Sequence, residues 1–334
     1  MSIRFSFAAA LSLATTLPAA AEVNVYSYRQ PELIMPLVDA FTEETGIEVN
    51  IAFLNKGLTE RLLAEGRRTP ADIILTADIQ RLTDAVAAGV TRSVESARLT
   101  ENVPAAFRDP DGHWFGLTSR ARIVYASKDR VAPGEVTTYE DLADPKWQGR
   151  ICTRSGTHAY NTALTAAMIA HHGEDDTTGW LEGVKANLAM KPQGNDRAQV
   201  KSIWSGECDI SLGNTYYMGE MLEDEEQKAW AEAVRIEFPV FEDGGTHVNI
   251  SGVAMTAHAK NPEDALVFME FLTSPDAQAI YAAANHEYPV SSEAAPSALV
   301  ASWGSFTPDT IDLTALATER GAALKLTQAV DFDG

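Results

Sequence analysis

Residues 22–78 read EVNVYSYRQPELIMPLVDAFTEETGIEVNIAFLNKGLTERLLAEGRRTPADIILTAD, and this stretch decides the fold. EVNVYSY alternates and is rich in β-formers, which predicts a strand. The run from Pro31 carries apolar residues at helical spacing and ends at Gly46, a natural helix C-cap. IEVNIAFL predicts a second strand and GLTERLLAEG a second helix. ADIILTAD is almost continuously apolar, as expected of a strand covered on both faces. IQRLTDAVAAG then returns to helical spacing. This β-α-β-α-β-α rhythm argues for an open, mainly parallel sheet wrapped by helices.

Outward from that stretch, residues 119–245 read as a second unit with its own strands (ARIVYAS, ICTRSG, CDISLGN, VRIEFPVF) and helices between them. NISGVAMTAHA predicts a return strand. PEDALVFMEFLTSPDAQAIYAAA predicts two helices split at Ser274-Pro275, and the chain closes on an amphipathic helix. The expected organisation is a leader at 1–21, one lobe from 22–118 plus 246–334, and a second from 119–245. The chain would cross between them near Thr118 and Gly245. Each lobe would be a mainly parallel sheet flanked by helices, with the ligand cleft between lobes, where strand ends and helix N-termini face it.

The N-terminus, MSIRFSFAAALSLATTLPAAA, has one early cation, a short apolar run and a small-residue AAA end, which predicts a secretory signal cleaved after Ala21. The apolar run is shorter than the roughly 20 residues needed to span a bilayer. About 310 mature residues favour two domains over one. A net charge of −21 argues against nucleic acid and against electrostatic binding to anionic membranes, but not against a small anion held locally. The two cysteines, Cys152 and Cys208, lack CxxC spacing. In an exported chain they are either a disulfide or two buried thiols.

Three of the nine tyrosines stand at predicted strand-to-helix junctions: Tyr160 in RSGTHAYNTAL, and Tyr216 and Tyr217 in LGNTYYMGEM. A single tyrosine there is ordinarily an amphipathic core or interface residue, and paired rings also stack on sugars. Three together admit a metal. Phenolate is a hard oxygen donor suited to a hard trivalent cation, and three phenolates would neutralise Fe3+. The phenol pKa of about 10 means that each must lose its proton on binding. An anion completing the site needs donors. Arg29 and Gln30 end the first strand, and Arg120 and Arg122 lie beside the proposed crossing; a planar guanidinium suits a planar oxyanion. No G-x-S-x-G elbow or H-E-x-x-H helix is present, and the adjacent His171 and His172 cannot share one helix face. These features do not describe an enzyme. His158 reads as a solvated loop residue.

The chain resembles the periplasmic ferric-iron-binding proteins of ABC importers, class-II members of the two-lobed solute-binding superfamily. The resemblance runs through VNVYSYRQPELIMPLVDAFTEETGI, GLTSRARIVYASKDRV, YEDLADPKWQGRI, RSGTHAYNTAL, GNDRAQVKSIWSGECDISLGNTYYMGEM and VNISGVAMTAHAKNPEDALVFMEFLTSPDAQ. It implies iron ligation by Tyr160, Tyr216 and Tyr217, with Arg29, Gln30 and Arg120 holding a synergistic carbonate or bicarbonate. Where some branches carry a histidine, this chain has Gln30-Pro31; where some carry a carboxylate ligand, it has Ala77. That points to the three-tyrosine, anion-assisted branch. Tyr28 should turn away if Arg29 turns in. The implied role is periplasmic capture of Fe3+ by a monomer and delivery to an inner-membrane ABC permease and ATPase, without membrane insertion or contact with nucleic acid. The competing expectation is an organic solute such as a polyamine, a thiamine-like cation or a sugar.

Overall fold

The computed structural model describes residues 21–334, so the predicted leader, apart from Ala21, lies outside the described residues. The first part of the chain alternates strand and helix. Strand β1 (Glu22–Ser27) leads to α1 (Pro31–Thr45), β2 (Glu48–Phe53), α2 (Leu58–Glu65), β3 (Ile73–Thr76), α3 (Ile79–Ala87) and α4 (Ala97–Asn102). Strand β4 (Phe115–Ser127) enters the middle segment, with β5 (Ile151–Cys152), α5 (Ala159–Ala186), α6 (Asp196–Ser205), β6 (Ile210–Asn214), α7 (Tyr216–Glu223), α8 (Lys228–Glu232) and β7 (Val234–Glu237). The return carries β8 (Val248–Met255), α9 (Pro262–Leu272), α10 (Pro275–Asn285), β9 (Tyr288–Pro289), α11 (Ala298–Ala301) and α12 (Leu313–Ala329). The local signals act as expected. Gly46 closes α1 in the left-handed region at φ 72°, and the Ser274 side chain caps α10.

The α/β class and the two flanked sheets match the sequence, but the sheets are mixed rather than mainly parallel. The strand order is β2-β1-β3-β8-β4-β6-β5. Among the strands of the described residues, only β1–β2, β1–β3 and β5–β6 pair in parallel. The antiparallel pairs come from the crossing itself. β4 leaves the first part and β8 returns beside it, so the two must run in opposite directions. Along Phe115–Ala121, β4 pairs with β8; from Arg122 to Ala126 it pairs with β6. One fully buried 13-residue strand therefore serves both sheets. A sequence rhythm reports local βαβ units and cannot report this long-range pairing.

Two further contacts hold the arms of the fold. Cys152 and Cys208 are joined by a disulfide that ties β5 to the segment entering β6. Helix α12, from the last part of the chain, lies chiefly along α5 of the middle segment and also touches α3. Ala166 and Ile169 of α5 pack with Ala323 of α12 in a small buried apolar cluster.

Candidate metal centre

The two tyrosine-bearing junctions are built by buried polar anchors. Asn161, next to Tyr160, donates to Thr153 Oγ1 and to the carbonyls of Arg154 and Ser155, and accepts from Arg122 Nη2. This fixes the first turn of α5. Below it, His158 Nδ1 accepts from the Tyr160 amide at 3.2 Å, so His158 is the α5 N-cap and not a solvated loop residue. Burial, with Arg154 nearby, pulls its pKa down to about 4, so the neutral ring stays available as an acceptor. At the second junction Thr215 is tied to β4 in both directions, through its amide to Ala121 O and from Ala121 N to its hydroxyl. A Cβ on Gly213 would sit 2.2 Å from the Tyr125 ring, which is why LGNTYY carries glycine there.

These anchors bring the three tyrosines into one cavity of about 450 Å3 between the two parts of the fold. The Tyr160 and Tyr216 hydroxyls are 3.0 Å apart, and the Tyr216 and Tyr217 ring centroids are 4.2 Å apart. Arg154 lies 5.2 Å from the Tyr160 ring centroid and Arg197 6.0 Å from that of Tyr217. Burial, reinforced by Tyr160 and Tyr217, pushes the Tyr216 phenol well above its ordinary pKa; burial and Tyr160 raise that of Tyr217. Both are protonated at neutral pH unless a strong positive charge enters.

Arg29 and Arg120 also line this cavity. Arg120 is 3 % exposed; its Nη2 donates to the Ala77 carbonyl, and its buried Nη1 has no partner among the described residues. Arg29 is more committed. Its Nε donates to Tyr281 Oη at 2.8 Å, and its Nη2 to Ser251 Oγ at 2.6 Å and Glu287 at 3.0 Å. Burial opposes the Arg29 charge, but Glu287 and Tyr281 outweigh it and raise its pKa.

Gln30 is not brought in. It is exposed at the N-cap of α1, ahead of Pro31, and does not line the cavity; the chain turns out of β1 one residue too early for it. Tyr28 turns away as alternation predicts: its hydroxyl accepts from Leu58 N at 2.9 Å, and Arg81 stacks on its ring at 3.8 Å. Arg122 is buried against Asp196 at 2.6 Å and is structural. The lining residues that sequence reasoning missed include Glu220, Glu223, His286 and Glu287. The first two were findable, because they follow Tyr216 and Tyr217 at helical spacing on α7. His286 and Glu287 come from a remote turn and gave no local signal. Among the described residues, no three His, Cys, Asp or Glu side chains converge as a metal site.

A model of the family described as bacterial extracellular solute-binding protein matches residues 68–305. The chain is 46% identical to iron uptake protein A1 of Synechocystis over 308 residues, covering 91% of this chain and 86% of that protein. The crystal structure of ferric iron-binding protein A of Mannheimia haemolytica in an open conformation superposes with a TM-score of 0.90 at 52% identity, covering 94% of this chain and all of the other. A Trichodesmium protein in complex with iron and citrate superposes with a TM-score of 0.90 at 39% identity, over 93% and 100% of the two chains.

Proposed function

The chain belongs to the family of bacterial extracellular solute-binding proteins, and we propose that its solute is Fe3+, held by the phenolates of Tyr160, Tyr216 and Tyr217 with an oxyanion on Arg120 and Arg29. Its relatives bind and transport rather than catalyse. The observation that carries the reading is the convergence of three phenols, two of them 3.0 Å apart, beside the unpartnered guanidinium nitrogen of Arg120.

The chemistry follows from the charges. An empty cavity keeps Tyr216 and Tyr217 neutral because burial disfavours phenolate. A trivalent ion reverses that balance, displaces the protons and is neutralised by three phenolates. Remaining coordination positions take an anion that the arginines hold in planar contact. Carbonate is the anion we assign, on the shape and donors of that subsite; the Trichodesmium neighbour is a complex with iron and citrate. Closure of the two lobes on the ion would present a form that an inner-membrane ABC permease recognises, with the protein acting as a periplasmic monomer. Titration of the purified protein with a ferric chelate, with and without bicarbonate, tests the reading. A visible phenolate-to-iron band that saturates at one ion per chain and needs the anion supports it; no band, or equal binding without any anion, sinks it.

A further inference from the structure

Beside the two arginines lies a buried carboxylate to which the iron-and-anion reading gives no role. The register of three strands puts it there. Thr118 of β4 pairs with Ser251 of β8 on one side and with Pro289 of β9 on the other. Glu287, immediately before β9, thus meets both hydroxyls. It accepts from Thr118 Oγ1, from Ser251 Oγ at 3.1 Å, and from Arg29 Nη2 at 3.0 Å. It is 2 % exposed and lines the same cavity as Arg29, Arg120 and the tyrosines. Burial alone would favour the neutral acid, but Arg29, Arg120 and the Thr118 hydrogen bond outweigh it and lower its pKa. The group is a fixed negative charge at the place where an anion is expected to bind.

We propose that Glu287 is a specificity-determining residue of the anion subsite: it occupies one edge of Arg29 and sets a negative charge beside both arginines, so that anions of low charge are accepted and highly charged ones penalised. The inference rests on the iron-and-anion reading above. Ion pairing with Arg29 alone is a structural role, and it would leave anion selection unmoved. A charge that faces the anion acts differently, because its repulsion grows with the anion's own charge. At an effective dielectric constant of about 20, one unit charge about 8 Å away changes binding of a singly charged ion by more than tenfold, and more for a trivalent one.

The test compares wild type, Glu287→Gln and Glu287→Asp, each loaded with the same ferric chelate at one pH. The concentrations of bicarbonate and of citrate that half-form the visible band are measured for each. Chelation of iron by free citrate is common to all three proteins and cancels in the comparison between them. Glu287→Gln keeps the hydrogen-bonding shape but removes the charge, and is expected to raise the preference for citrate over bicarbonate at least about tenfold, while Glu287→Asp stays near wild type. An unchanged preference in Glu287→Gln, with the band formed normally in wild type, overturns the proposal. Failure of the wild type to form the band would instead overturn the iron reading. Should Glu287→Gln not fold, the pair Arg29→Met with Glu287→Leu removes opposite charges together and replaces a buried ion pair by apolar packing. Its net charge change is zero, so the preference should stay near the wild-type value even as overall anion affinity falls; a tenfold shift in either direction contradicts the proposal.

Discussion

The hydroxyls of Tyr160 and Tyr216 meet at 3.0 Å although 56 residues separate them in the chain. One starts α5 and the other starts α7, and only one of the two can donate in that contact. Binding of a trivalent ion requires both to lose their protons. Tyr216→Phe is therefore expected to release one proton fewer per ferric ion than wild type in a weakly buffered titration, and to lose at least about 100-fold in affinity against a competing chelator. Equal proton release by the two proteins would exclude Tyr216 as a ligand.

The raised Tyr216 and Tyr217 pKa values also fix the sign of an alkaline effect. In the unfolded chain these phenols ionise near 10, and in the metal-free fold above that. Their contribution to stability is complete below pH 10 and is lost as pH rises through the folded values. Iron reverses the preference, since the bound form already carries phenolate. Thermal melts of the metal-free protein should fall more steeply above pH 10 than those of the iron-loaded protein; parallel curves would contradict this.

The two arginines should fail in different ways. Arg120 Nη1 has no partner among the described residues, so Arg120→Ala is expected to weaken iron retention through loss of the anion, with added bicarbonate no longer restoring it and little loss of fold. Arg29→Ala strands Glu287 without its ion pair and should cost about 3–5 kcal/mol of stability as well. Chemical denaturation beside iron titration separates the two; equal destabilisation would show that the Glu287 pair contributes nothing special.

Much of this was legible in the sequence, and the limits are physical. Helix stops at Gly46 and Ser274-Pro275, the strand at Ile73–Thr76 and the tyrosine junctions all follow from signals within a few residues. The mixed sheet was not legible, because the β4–β8 pairing spans more than a hundred residues and leaves no local trace. Gln30 lies outside the cavity lining for the opposite reason. It sits beside Arg29 in sequence, but Pro31 starts α1 at once and leaves Gln30 exposed at its cap. Glu287 enters the site through strand register, which a single sequence does not display.

The disulfide closes a loop within the middle segment, between residues 56 apart. Replacing Cys152 and Cys208 by serine is expected to cost about 4 kcal/mol on the loop-entropy estimate. The iron band should survive in the folded fraction, because neither sulfur lies in the cavity lining. Loss of the band under conditions where circular dichroism shows a native fold would contradict that separation.

His286 comes from the return segment and its ring lies against Gly219 of α7, with Nε2 3.3 Å from Glu223 Oε2. A Cβ at Gly219 would fall 2.3 Å from His286 Cγ. Gly219→Ala should push the two parts of the fold apart and cost about 1–3 kcal/mol, beyond the modest helix-propensity gain of alanine. A larger radius of gyration by small-angle scattering is expected; an unchanged radius and melting temperature would show that the contact is easily relieved.

The most direct test is a ferric titration of wild type and of the triple variant Tyr160→Phe, Tyr216→Phe, Tyr217→Phe, followed by visible absorption in bicarbonate. Wild type should develop a red-to-orange charge-transfer band that saturates at one equivalent, and the folded triple variant should stay colourless. A triple variant that keeps both the band and the affinity would show that the phenols do not hold the iron.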